Sequence, residues 1–189
     1  MDTAIFSALI PAASATERDT IATTLARFGE GALQFAAAHG VQIRALDKRE
    51  RYDEASPALK RLGVDVDAWP SPPAGLFVVE ERIVYLRSRS AMTIAHEFGH
   101  ALDLALGGNV YRSSTDPAIR EAYRNATRFV TPYAATAIDE YFAECVRSWV
   151  GINDEASFWP TVSQARLRRC DPAMYSIVRE IFASFERSG

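Results

Sequence analysis

From Ser90 to Leu106 apolar residues return at helical spacing. Ala91, Ile94, Phe98, Leu102 and Ala105 line one stripe, and Gly107-Gly108 ends the run. Upstream, Ile21, Leu25, Phe28, Leu33 and Phe35 form a broken stripe. They predict a helix capped at Ser14 or Thr16, with Thr16-x-x-Asp19 as a capping-box echo, running to about His39 before Gly40. Gly29 and Gly31 weaken its middle. Val41 to Leu46 alternates apolar and polar, as a half-buried strand does. Leu76–Val79 and Ile83–Leu86 read as a hairpin turning near Glu80-Glu81. A short helix fits Pro57 to Leu62, and prolines make a loop of Trp69 to Gly75. Asp116-Pro117 opens a helix to about Val130, and Pro132 interrupts the chain. A further helix runs from about Ala135 to Val150, stopped by Gly151. Asp171-Pro172 opens the last one, to about Phe185. The expected class is α+β: mainly helical, with three to four short strands packed beside the Ser90–Leu106 helix.

Composition narrows the picture. At 189 residues, 1–189 reads as one domain, with a helical segment 1–40, a central core 62–150 and a helical segment 151–189. Apolar residues at 48% and charged residues at 24% exclude a disordered chain or a coiled-coil rod. A net charge of −3 advertises neither nucleic acid nor an anionic membrane, and no apolar run is long enough for a membrane span. Cys145 and Cys170 are too few for a disulfide framework, and whether they pair stays open. Cys145 falls near an apolar stripe, as a buried small residue does. Arg166, Arg168 and Arg169 read as a solvated helix face. Ile5 to Ala13 is apolar, and Ala13-Ser14-Ala15 resembles a cleavage site. However, Asp2 is acidic and no basic residue precedes the run, which is the wrong start for a secretory signal. The expectation is a soluble monomer, exported or injected, if at all, by a non-classical route.

His96-Glu97-Phe98-Gly99-His100 is an H-E-x-x-H motif. Advancing about 100° per residue from His96 puts His100 near about 40° and Asp103 near about −20°, opposite the apolar stripe. Two histidines on one helical face can share a metal, and Glu97 can reach a water beside it. Catalytic zinc takes a third protein ligand. The sequence has three histidines, and His39 lies far upstream near a helix end, where it reads as a surface residue. The third ligand is therefore expected to be a carboxylate on a later helix. Glu140 and Glu144 share a face there with Arg147 beside them, and Ile138, Phe142, Val146 and Trp149 lie opposite. Spacing alone does not choose between the two glutamates. The other would hold a histidine N–H, and Asp103 could do the same for the second histidine.

His96-Glu97-Phe98-Gly99-His100-Ala101-Leu102-Asp103, then Tyr133, then Glu140-Tyr141-Phe142-Ala143-Glu144, resembles the lethal factor-like zinc peptidases. This is the family of the anthrax lethal factor peptidase domain and the secreted bacterial Pro-Pro endopeptidases. The resemblance covers roughly Leu62 to Val150. It implies a gluzincin-like fold, with His96, His100 and Glu140 as zinc ligands. It also implies Glu97 as general base and Tyr133 as hydrogen-bond donor to the transition state.

The expected activity is zinc-dependent hydrolysis of a peptide bond in a protein target, as in a toxin or effector. The alternatives are an inactive zinc-binding interaction module on a peptidase scaffold, or a protease that processes proteins of its own system. The resemblance also implies that an extended substrate pairs with a sheet edge. Ile83–Leu86 is the expected edge, with Tyr85 on it and Arg87 and Arg89 at its end. Trp69, beside the proline-rich loop, is a further candidate for substrate contact.

Overall fold

The computed structural model describes residues 3–11, 14–155 and 157–187. Ala13, in the cleavage-like tripeptide, lies outside the described residues. The chain begins with α1 (Thr3–Leu9) and α2 (Ala15–Leu25). Ser14 caps α2 through a capping box closed by Glu17, so the true cap is two residues earlier than the Thr16/Asp19 echo. The long helix expected to reach His39 is broken. After one 3-10 turn, Gly29 takes φ 84°, which resets the direction before α3 (Glu30–Ala38).

Three strands follow: β1 (Gln42–Ala45), β2 (Gly75–Val78) and β3 (Ile83–Leu86). The order is β1-β3-β2, with β1 parallel and β2 antiparallel to β3. This corrects the edge-strand expectation: β3 is central and paired on both sides, and β2 is an edge. Between β1 and β2 stand α4 (Tyr52–Ala55) and α5 (Pro57–Leu62), the latter capped by Ser56.

Strand alternation divides the core. Val84 and Leu86 of β3, with Phe77 of β2 and Ile43 of β1, join the main apolar cluster. Tyr85 of β3 and Val78 of β2 face a second cluster with Leu46, Tyr52 and Leu59. Both faces of the sheet are therefore covered.

The central helix is α6 (Ala91–Gly107). Ser90 caps it and Gly108 closes it at φ 84°. Its apolar stripe enters the main cluster, where Phe28 meets Phe98 edge-on at 4.8 Å. Then come α7 (Arg112–Thr115) and α8 (Pro117–Asn125), which ends five residues before the expected Val130. A 3-10 turn over Tyr133–Ala135 leads into α9 (Ile138–Val150), stopped by Gly151 at φ 67°. The chain finishes with α10 (Gln164–Cys170) and α11 (Pro172–Arg187). Cys145 is buried, and it and Cys170 are free thiols. Among the described residues no helix is long and apolar enough to cross a membrane.

Candidate metal centre

α6 and α9 lie against each other, and Gly99 sets how close they come. A Cβ at Gly99 would lie 2.9 Å from the Ala143 Cα. The glycine inside the histidine motif thus lets one helix face reach the other. His96 and His100 point from α6 toward Glu140 on α9.

Among the described residues these three form the group able to hold a metal ion. His96 Nε2 lies 3.2 Å from His100 Nε2, and Glu140 Oε2 lies 2.9 Å and 3.3 Å from the two nitrogens. A tetrahedral ion with bonds of about 2.0–2.1 Å spaces its ligand atoms roughly 3.3–3.4 Å apart. The donor set therefore fits a zinc ion. Glu140 Oε2 also has no aligned hydrogen-bond donor, although it is buried. Its spacing to the nitrogens is that of ligands around a common centre, not of a satisfied hydrogen bond.

Electrostatics at the site are strongly coupled. Burial opposes charging of His96, but contacts with Glu140 and Glu144, and the nearby Glu97, push the imidazole up to about 10. Burial raises the Glu140 carboxyl too, yet His100 and His96 outweigh it and hold it well below the ordinary range. Glu97 goes the other way: burial keeps its carboxyl above the usual range against the pull of His96 and His100. Its stem passes over the end of β2, where a Cβ on Gly75 would lie 2.6 Å from Glu97 Cγ.

Glu144 sits behind His96. Its Oε1 is 3.0 Å from His96 Nδ1 and accepts from Arg147 Nε at 2.8 Å. Its Oε2 accepts from Arg147 Nη2 at 2.8 Å and from Thr131 Oγ1 at 2.7 Å. Burial works against this charge, but Arg147 and His96 bring the carboxyl down to about 2. On the open side, Tyr133 Oη donates to Glu140 Oε1 at 2.9 Å, and its ring lies 5.4 Å from that of His96. Asp103 is fully buried, and its Oδ1 accepts from the Ser113 backbone N–H at 2.8 Å. Burial raises this carboxyl to about 6. Among the described residues Asp103 Oδ2, His100 Nδ1 and Ser113 Oγ have no hydrogen-bond partner, so a direct Asp103–His100 hydrogen bond is not formed.

Substrate-side expectations fare differently. Tyr85 is buried, and its hydroxyl donates to Glu81 Oε2 at 2.8 Å and lies 3.2 Å from Ala55 O. Arg87 pairs with Asp67 and lies 4.8 Å over the Tyr52 ring, clamping the segment before β2. Arg89 is tied to Glu17 and to Leu46 O. Trp69 is exposed but does not line the cleft at the metal group. That open cleft has room for about 200 Å³ between Pro73–Gly75 on one side and Tyr133 and Trp159 on the other. Met92, Thr93, His96 and Glu97 lie on the α6 side. Sequence reasoning missed Trp159 and Thr131. Neither stands in a periodic pattern with the motif, and only the fold brings them near it.

Comparison with protein-family models finds no match, and comparison with curated proteins finds none. Solved structures do match in shape. One is the Pro-Pro endopeptidase PPEP-2 from Paenibacillus alvei, with TM-score 0.64 and 18% identity. The match covers 94% of this chain and 99% of that one. At that identity the likeness is one of fold: a mainly helical α+β architecture with a small mixed sheet.

Proposed function

We propose that this chain is a zinc-dependent metalloendopeptidase acting on a protein or peptide substrate, with 1–189 as one catalytic domain. The observation that carries the reading is the convergence of His96 Nε2, His100 Nε2 and Glu140 Oε2 at ligand spacing, with Glu97 and Tyr133 on the open side. Zinc held there would supply a Lewis acid and lower the pKa of water toward about 7.

The protein's own groups then have distinct tasks. Glu97, desolvated at the cleft floor, takes a proton from the attacking water and passes it to the departing amine. Tyr133 Oη, exposed on the cleft side, donates to the oxygen that gains charge at the scissile carbonyl. Glu144 holds the orientation of the His96 ring through Nδ1. The free edge of β2, reaching the cleft at Gly75, offers backbone groups to an extended peptide. An interaction module would need neither a buried base nor an exposed tyrosine at the ligand group.

The test is a zinc content measurement paired with cleavage of a proteome-derived peptide library. Wild-type protein should hold about one zinc and cleave. Glu97→Gln should hold zinc and not cleave, and His96→Ala should lose both. Full cleavage by Glu97→Gln would sink the assignment.

A further inference from the structure

We infer that Trp159 forms one wall of a subsite selecting a bulky apolar residue beside the scissile bond. The inference rests on the endopeptidase reading above and names its substrate class.

The segment carrying Trp159 is held in place. The Asn153 side chain accepts from Val162 N at 2.7 Å and donates to Val162 O at 3.0 Å, so the base of the loop is clasped. Asp154 Oδ1 accepts from Met92 N at 3.1 Å, which ties the loop to the first turn of α6. Arg147 Nη1 donates to Ile152 O at 2.9 Å. These bonds hold the chain on either side of the stretch 157–159, which lowers the ordering cost of presenting its side chains. What it presents is aromatic. Trp159 is 45% exposed with its ring 6.1 Å from that of Tyr133, and Phe158 beside it is fully exposed.

Away from His96, Glu97 and Glu144, part of the lining is of matching character. Pro73, Ala74 and Met92 face the same cleft as the Trp159 and Tyr133 rings. Among the described lining residues Arg147 is the arginine, and its three guanidinium nitrogens are already engaged by Glu144 and Ile152 O. The Arg147 charge is therefore already paired and is not offered to an acidic substrate side chain. A large apolar or aromatic side chain would cover Trp159, and exposed aromatic surface at a cleft is a recurring anchor for peptide recognition.

The experiment uses full-length, zinc-loaded protein and capped hexapeptides that vary one position beside the cut. Wild type should favour Leu, Met or Phe there over Ser and Asp. Trp159→Ala should lose roughly tenfold or more on the apolar peptides, mainly in KM, and little on the Ser peptide. A uniform loss, or none, would overturn the subsite. A second arm needs no turnover. With the Glu97→Gln protein, apolar peptides should change tryptophan emission, and the change should vanish when Trp159→Phe is added. Emission unaffected by every peptide, or affected equally by all, would overturn the inference. Selective binding without cleavage by wild type would leave the subsite standing and sink the endopeptidase reading. Cleavage indifferent to Trp159→Ala would do the reverse.

Discussion

Glu144 Oε1 lies 3.0 Å from His96 Nδ1, and the same carboxylate takes two hydrogen bonds from Arg147, a side chain only 2% exposed. One buried carboxylate therefore serves both a candidate ligand and a buried cation. Removing it has two separable effects. Glu144→Ala leaves Arg147 buried and unpaired, which costs about 3–5 kcal/mol. It also frees the His96 ring, which lowers metal affinity by about 10–100-fold. Glu144→Gln keeps the shape and one acceptor, so the stability loss should be smaller. Thermal melts and chelator competition on the two variants check both effects. Unchanged affinity in a folded Glu144→Ala protein would remove Glu144 from the metal centre.

Metal should bind the folded chain and not the unfolded one, because its ligands are 40 or more residues apart in sequence between α6 and α9. Saturation at a hundred times Kd then stabilises by about 2.7 kcal/mol. The melting temperature should rise with zinc concentration and fall with chelator. In His100→Ala and Glu140→Ala this dependence should largely disappear. A wild-type melting curve indifferent to zinc would contradict the proposed centre.

Much of this centre was legible because an i, i+4 pair on one helix face is a local property. His96, His100 and the Glu140/Glu144 face all follow from helical phase, and the structure brings those faces together. Choosing between the two glutamates was not local. It depends on how α9 lies against α6, which puts Glu140 Oε2 2.9 Å from His96 Nε2 and Glu144 Oε1 3.0 Å from His96 Nδ1. The same reason hid the strand order. Ile83–Leu86 reads as a strand from its residues, but whether it is an edge depends on β1, some forty positions away, pairing in parallel. Tyr85 and Arg87 looked available because sequence cannot show Glu81 and Asp67 engaging them. Gly29 reads as a weak point of the helix, and its positive φ makes it a break.

Two glycines should separate fold from chemistry. Gly99→Ala places a Cβ 2.9 Å from the Ala143 backbone, where nothing can move aside cheaply. The helices must part, with an expected loss of about 1–3 kcal/mol and weaker metal binding. Gly75→Ala instead meets the Glu97 Cγ at 2.6 Å and the Thr93 methyl at 2.7 Å, both side chains. That variant should keep its metal but displace the proposed base, so kcat should fall more than stability does. Melting, zinc content and peptide cleavage measured together distinguish the two. Equal behaviour of the two variants would contradict the distinct roles given to these contacts.

Tyr133 offers the sharpest test of the transition-state role. Its hydroxyl donates to Glu140 Oε1 at 2.9 Å, so it could be merely a partner of the ligand. Burial, then Glu140, holds this phenol well above its ordinary pKa, so it stays a neutral donor at neutral pH. Tyr133→Phe removes the hydroxyl and keeps the ring against His96. If the hydroxyl serves the developing oxyanion, kcat should fall roughly 10²–10³-fold, with KM and zinc affinity little changed. If it only steadies Glu140, zinc affinity should fall and added zinc should restore the rate. A zinc titration of kcat in Tyr133→Phe decides between them, and rescue by zinc would remove Tyr133 from the catalytic role.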